Sequence, residues 1–330
     1  MRPIPYSGND HPIQTNIPHR KRRQEHQLTS FRHIKMSKEI KVFTAVVTVC
    51  FISMSHAEEQ TGQDIMTAVE KMLRSSNNAS FARIKLSSCR FGVTSDRITC
   101  AERPRIKIVE TVTINLGADK KDTKSISITR EPASERGVGM LNFTYHQTDR
   151  ENQTWLYLSA LGRAKRIATG ASHEYGEPAS IFGSEFTTED VNYGNIEDYN
   201  ISILSQATLD GRDIWKLEAI PVTVKAKRSR YARTVYFIDK ERYVSLRSEM
   251  YDKYDKQIKR SISSRVEMMN GYWVARSVTM FNLVSNRLSN MAMVSLHMGL
   301  SVSEDFLTQR SLTDNAYRES VLNQLRSQTK

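Results

Sequence analysis

The sequence predicts a mainly β protein with few helices, built on one large, curved antiparallel sheet, and three observations predict it. From Phe81 onward apolar residues recur with period two, the signature of half-buried strands. The alternating runs are separated by turn sequences such as Gly117-Ala118-Asp119, Glu131-Pro132-Ala133-Ser134 and Asp210-Gly211. No repeat or linker divides them, and 330 residues lie within reach of one large β domain. Strand twist makes long flat sheets unfavourable, so roughly ten strands in succession should close or half-close into a barrel with an interior.

The first 57 residues stand apart. Met1–Lys35 is polar, contains Pro, and is rich in His and Arg, including the run His19-Arg20-Lys21-Arg22-Arg23. Lys38 and Lys41 then lead into the apolar stretch Val42–Met54, followed by Ser55, His56 and Ala57. A basic lead, a short apolar core and small residues at the minus-three and minus-one positions are the parts of a secretory signal peptide; a buried helix is the alternative. A signal peptide normally begins a chain, so Met36 is read as the start, residues 1–35 as a mis-called or unusual extension, 36–57 as the signal and 58–330 as a single domain. No Cys follows Ala57, so a lipid-anchored start is not indicated. No apolar run reaches the roughly 18 residues that argue for a membrane-spanning helix.

The formal charge is +12, from 48 Lys and Arg against 36 Asp and Glu. Nine of those cations and three of the acids precede Glu58, which leaves +6 on the remainder. That is a mildly basic surface rather than the stripe of a nucleic-acid binder, and no nucleic-acid partner is expected. Beyond the leader the cysteines are one pair, Cys89 and Cys100, in a strand-like hairpin. A disulfide suits an oxidising compartment; two buried thiols are the alternative. Asn78, Asn142, Asn152 and Asn200 each begin a glycosylation sequon, read as chance.

Along the domain, Ile65, Met66, Val69, Met72 and Leu73 recur at helical spacing and end on Lys71 and Arg74, which predicts one amphipathic helix. Strands follow at Ile106–Leu116, Ile126–Ile128, Val138–Tyr145, Ile201–Leu209 and Ile214–Ile220. Thr234–Ile238 and Tyr243–Tyr251 form a hairpin around Asp239-Lys240-Glu241. Tyr272–Val284 pairs with Met291–Leu300, where Ala292, Val294, Leu296, Met298 and Leu300 are expected on one face. Glu304–Lys330 is polar, with Val321 and Leu325 at helical spacing, and is read as a short docking helix or a frayed end.

Catalytic signatures are sparse. His146, His173 and His297 have no ligand spacing, and phosphate loops, Gly-x-Ser-x-Gly elbows and Cys-x-x-Cys pairs are missing from the sequence, so no metal, cofactor or catalytic residue is expected. The carboxylate pairs Glu189-Asp190 and Glu197-Asp198 read as a solvated charged surface. Lys225, Lys227, Arg228, Arg230 and Arg233 cluster at a hairpin tip, either a solvated loop or a docking surface for a protein or an anionic head group.

One stretch resembles a known family. Trp155-Leu156-Tyr157-Leu158-Ser159 leads through the basic turn Arg163-Ala164-Lys165-Arg166-Ile167 to Ile181-Phe182-Gly183-Ser184-Glu185-Phe186-Thr187-Thr188-Glu189-Asp190-Val191. This is similar to the signature of outer-membrane lipoprotein-sorting proteins, relatives of the periplasmic lipoprotein carrier LolA. Ser159 stands where the family has Pro, and Glu185 where it has Asp. The resemblance implies an incomplete half β-barrel closed by helices, an apolar cavity for acyl chains of lipids or lipoproteins, and no catalysis. It also implies a periplasmic location, traffic toward the outer membrane surface, and an inner-membrane exporter of the resistance-nodulation-division type as partner.

Candidate cavity residues are Trp155, Leu156, Tyr157, Leu158, Phe186, Met280, Val294 and Leu296. Alternation puts Trp155 and Tyr157 on one face and Leu156 and Leu158 on the other, and plain core packing accounts for either pair equally. Arg163, Lys165, Arg166, Lys227, Arg228 and Arg230 are candidates for docking a partner or head group. Two rival readings are an exporter accessory protein without lipid cargo and, weaker, an enzyme acting on an envelope lipid.

Overall fold

The computed structural model describes residues 4–5, 60–75, 78–94, 97–117, 119–147, 150–167, 180–191 and 195–328. The expected leader at 36–57, almost all of residues 1–35, and His173 lie outside the described residues.

Period two is realised as strands over most of the chain. After a two-residue strand β1 (Ile4–Pro5) and helix α1 (Gly62–Ser75) come β2 (Ala79–Thr94), β3 (Arg97–Cys100), β4 (Arg105–Leu116), β5 (Asp122–Glu131), β6 (Gly139–Thr144), β7 (Gln153–Leu158) and β8 (Arg163–Ile167). A segment carrying the short helix α2 (Thr188–Val191) leads to β9 (Tyr199–Leu209) and β10 (Arg212–Pro221). Then follow α3 (Thr223–Ala226), β11 (Arg233–Asp239), β12 (Ser245–Tyr251), β13 (Gln257–Met269), β14 (Tyr272–Asn282) and β15 (Arg287–Met298). The chain ends in α4 (Gln309–Thr313) and α5 (Asn315–Gln328). Two hairpins turn on Asp210-Gly211 and Asn270-Gly271, whose residues all have positive φ, the backbone a two-residue turn matched to strand twist requires.

Thirteen strands form one antiparallel ladder in the order β8-β7-β6-β5-β4-β2-β15-β14-β13-β12-β11-β10-β9, with β8 and β9 as open edges. Local hairpins build each half, and the long-range pair β2–β15 joins them. The sheet is strongly curled. Met140 on β6 and Met250 on β12 belong to one buried cluster, although seven inter-strand steps separate their strands. At about 4.8 Å per step they would stand roughly 34 Å apart on a flat sheet. Their shared face is therefore concave, and the sheet is an open half-barrel, as the sequence predicts.

Helix α1 packs on the concave face of β9–β11. It starts on a capping box: the Thr61 amide donates to Asp64 Oδ2 at 2.9 Å, and the Asp64 amide to Thr61 Oγ1 at 3.2 Å. Ile65, Met66 and Val69 then meet Leu217 and Ile238. The polar tail is helical, and it covers the opposite, outer face: Phe306, Leu307, Leu312, Leu322 and Leu325 pack on Phe81, Val112, Ile126, Leu141 and Trp155. An ionic network fastens it. Glu110 accepts from Arg130 Nε and Arg326 Nη2, both at 2.6 Å, and Arg130 Nη1 donates to Glu319 at 2.7 Å. Cys89 and Cys100 form the expected disulfide between β2 and β3.

One expected alternation is corrected. β15 pairs with β2 as Met293↔Ile84 and then Ser295↔Arg83, so Val294 is an extra residue. A bulge shifts the phase of the strand. Met291 and Met293 consequently share the concave face with Leu296 and Met298, and Ala292 points outward.

Candidate functional site

Among the described residues the concave face has three parts: α1 at one edge, the segment 180–191 laid across the middle as a strap, and the half-buried, methionine-rich surface of β15. The strap explains the second half of the sequence signature residue by residue. Phe182 and Phe186 are buried against Met140, Met250, Ile258 and Met280. The backbone amide of Glu185 donates to Ser289 Oγ at 2.9 Å, while its carboxylate accepts from Asn282 Nδ2 at 2.8 Å and Arg287 Nε at 3.0 Å. Thr187 caps α2: its amide donates to Asp190 Oδ2 at 2.7 Å and the Asp190 amide returns to Thr187 Oγ1 at 3.4 Å.

Asp190 is the centre of the strap. Its side chain is 0% exposed and pairs with Lys259 Nζ, 3% exposed, at 2.6 Å. Tyr231 Oη donates to Asp190 Oδ1 at 2.5 Å, and Lys259 also donates to the Glu185 carbonyl at 2.9 Å. Each buried charge thus has several hydrogen-bonding partners, the condition under which burial of an ion pair is tolerated. Burial and the adjacent Asp190 carboxylate push the Tyr231 hydroxyl far above its ordinary range. Glu189 accepts from Ser229 Oγ at 2.5 Å and the Arg230 amide at 3.2 Å; burial outweighs both bonds and holds its carboxyl above the usual carboxylate range. The expectation that Glu189-Asp190 is solvated is therefore wrong: the pair anchors the strap to the segment Ser229–Tyr231, between α3 and β11, and to Lys259 on β13.

The candidate cavity residues divide by face. Leu156, Phe186 and Met280 come together on the concave face in one cluster with Phe182. Leu296 lies on that face in the register of Ala82 and half-buried. Trp155 and Tyr157 lie on the outer face beneath the C-terminal helices, where Trp155 stacks edge-on with Phe143 at 5.0 Å. Leu158 is exposed at the end of β7, and Val294 is the exposed bulge residue.

Beside the bulge the sheet parts. The β14–β15 ladder stops at Ser277↔Ala292; Tyr272–Arg276 stays with β13, while Met293–Met298 follows β2. Arg276 Nη2 spans the seam, donating to the carbonyls of Met293 at 2.8 Å and Val294 at 3.2 Å. Among the described residues, Ile84, Met291, Met293, Leu296 and Met298 line the concave face of β2 and β15 and are all half-buried, Met291 packing against the strap cluster. Unbranched, polarizable methionines adapt to irregular apolar partners.

Of the basic candidates, Arg163, Lys165 and Arg166 are exposed on the edge strand β8, Arg166 lying 3.6 Å from Glu151. Lys227, Arg228 and Arg230 are exposed between β10 and β11. The His146 ring meets Asn195 Oδ1 at 2.5 Å and Lys121 Nζ at 3.3 Å. Among the described residues no group of three or more His, Cys, Asp or Glu is placed to hold a metal, and no helix is long and apolar enough to cross a membrane.

Residues 121–314, more than half of the chain, match the model of a family described as "Uncharacterized protein". The chain belongs to that family. Among solved structures, a DUF1329 family protein from Desulfovibrio piger is 22% identical with a TM-score of 0.66, over 76% of this chain and 97% of the other. A putative outer membrane lipoprotein-sorting protein domain from Vibrio parahaemolyticus is 23% identical with a TM-score of 0.65, over 76% and 98%. A LolA superfamily protein from Nitrosomonas europaea is 13% identical with a TM-score of 0.54, over 75% and 97%. No curated protein matches the chain. The resemblance carried by Trp155–Val191 thus extends to the whole fold, which is that of lipoprotein-sorting and LolA superfamily proteins.

Proposed function

We propose that this protein is a non-catalytic periplasmic carrier that holds acyl chains of a lipid or lipoprotein on its concave face. The observation that carries the reading is the half-buried, methionine-rich strip of β15 inside an open half-barrel, beside a strap locked down by buried charges. Such a strip offers an acyl chain shelter worth about 0.8 kcal/mol per buried methylene, so a single long chain supplies ample affinity without covalent chemistry. The fold shared with a protein named for lipoprotein sorting supports it. Leu156 and Met280 form the floor on which Phe186 of the strap packs, and Leu296 with Met291 and Met293 makes the contact. Residues 58–330 act as one domain behind a leader at 36–57. Cargo passes from an inner-membrane exporter of the resistance-nodulation-division type toward the outer membrane, following the resemblance in Trp155–Val191.

The test is uptake of a soluble, fluorescent monoacyl probe by the unaltered chain and by Leu296→Glu. The charge on the strip should abolish uptake without unfolding the protein; equal uptake by both would refute the site. A second reading has its own observation: Phe182 and Phe186 already fill part of the concave face. An accessory protein that only docks an exporter would take up no probe and would still co-purify with that exporter.

A further inference from the structure

Strand direction sorts the turns of this sheet onto two rims, and their chemistry differs. One rim carries the connections β2–β3–β4, β5–β6, β7–β8, β10–β11, β12–β13 and β14–β15. The last four each present a large apolar side chain at the tip, Leu161, Val224, Tyr254 and Val284, all at least 60% exposed, whereas the β5–β6 turn carries Glu131, Glu135 and Arg136 and no exposed large apolar residue. Val93, near the end of β2, reaches the same rim and is 60% exposed. Exposed cations flank them, with Arg163 and Lys165 after Leu161, Lys227 and Arg228 after Val224, and Lys253 and Lys256 around Tyr254. The β7–β8 and β10–β11 tips contain no acid between Leu158 and Ile167 or between Pro221 and Arg233. At the β12–β13 tip Asp255 is taken by Arg233 Nη2 at 2.6 Å.

The other rim is different in kind. Among the described residues its turns, Gly117–Lys121, the β6–β7 turn, Asp210-Gly211, Lys240–Val244 and Asn270-Gly271, place none of the exposed large apolar residues at a tip, and acids and bases are mixed along them. Exposed apolar side chains repeated along one edge mark an interaction surface. Where three tips pair an exposed apolar residue with exposed cations and a fourth adds Val284, the matching partner is a bilayer surface. The apolar tips enter the head-group region, while the cations meet anionic phosphates. A protein partner would be expected to match one contiguous patch rather than separate tips spread along an arc.

We infer that this rim docks on an anionic lipid bilayer. The inference rests on the carrier reading for its purpose, since the strands of the concave face end at this rim. Docking there brings the strap end of the concave face to the membrane, with the β15 strip running from Met291 beside the strap towards the other rim.

Vesicle co-sedimentation tests it with the full chain, in three forms that share the same N-terminal segment so that any contribution from it cancels. These are the unaltered protein, a tip variant (Leu161→Asp, Val224→Asp, Tyr254→Asp, Val284→Asp), and a control variant with two other exposed apolar residues away from this rim (Leu204→Asp, Met268→Asp). The unaltered chain should bind phosphatidylethanolamine–phosphatidylglycerol vesicles, and bind phosphatidylcholine vesicles weakly. Binding should fall with salt and drop about ten-fold in the tip variant, with the control unchanged. A charge variant, Lys227→Glu with Arg228→Glu, gives the same direction should the tip variant fold poorly. Equal binding by tip and control variants, no binding by the unaltered chain, or binding only to envelope vesicles whose proteins are intact would overturn the inference. In the last case the rim takes a protein. Uptake of the soluble acyl probe is read in parallel: uptake retained by a tip variant that no longer binds vesicles separates the rim from the cavity. Vesicle binding by a chain that takes up no probe would sink the carrier reading alone.

Discussion

Replacing Asp190 by Ala should be among the most damaging single changes in this protein. It leaves the Lys259 ammonium, 3% exposed, with the Glu185 carbonyl and no counter-charge, and it strands the Tyr231 hydroxyl. Removing one partner of a buried ion pair costs about 3–5 kcal/mol, a large part of a typical domain's stability. Loss of the cap on α2 adds about 1 kcal/mol, the amount expected for Thr187→Ala by itself. The double change Asp190→Asn with Lys259→Met removes both charges yet keeps an acceptor for Tyr231, so it should cost about 2 kcal/mol less than Asp190→Ala. Urea unfolding followed by tryptophan fluorescence gives these numbers, and hydrogen exchange of residues 180–191 shows whether the strap opens first. A cost below about 1 kcal/mol for Asp190→Ala, the range of an exposed pair, would refute the reasoning.

Other outcomes follow from the same structure. A Cβ at Gly139 would lie 2.8 Å from Ile128 Cδ1 and 2.9 Å from Leu312 Cδ2, both buried, so Gly139→Ala should lower stability by about 1–3 kcal/mol and loosen α4, read as faster exchange in 309–313. Cys89→Ser with Cys100→Ser opens a loop of eleven-residue separation and should cost about 2–3 kcal/mol, seen as an earlier urea midpoint in the unaltered chain when it is reduced. Burial raises Glu189 above its unfolded value near 4.5, so its contribution is full below that pH and is lost as pH rises through the raised value; Glu189→Gln should therefore be the more stable form at pH 7 and lose that advantage near pH 4. Glu110 runs the other way. Burial raises it, but the bonds and charges of Arg326 and Arg130 prevail and lower it, so its stabilisation is present above 4.5 and is lost as pH falls through the lowered value, which Glu110→Gln should abolish in an acid titration.

Much of this architecture is legible in local sequence. The spacing of Ile65, Met66 and Val69 defines α1, and Asp210-Gly211 and Asn270-Gly271 define their hairpins because the needed φ values are properties of those residues. What is not legible depends on distant partners. Glu189-Asp190 reads as a surface turn because Tyr231 and Lys259, which make its burial tolerable, come 41 and 69 residues later than Asp190. The phase change at Val294 leaves no local signal, so period two misplaces Ala292. Alternation separates Leu156 from Trp155 and Tyr157, yet which face is concave is decided by α4 and α5, whose narrow stripe of Leu322 and Leu325 reads as mostly polar.

The central claim, that acyl chains are held on the concave face, is tested most directly by gentle purification of the protein from a bacterial host, native mass spectrometry and organic extraction. A stoichiometric lipid or acylated protein, lost from Leu296→Glu, is the predicted result. A protein that is repeatedly empty and takes up no added lipid would contradict the account.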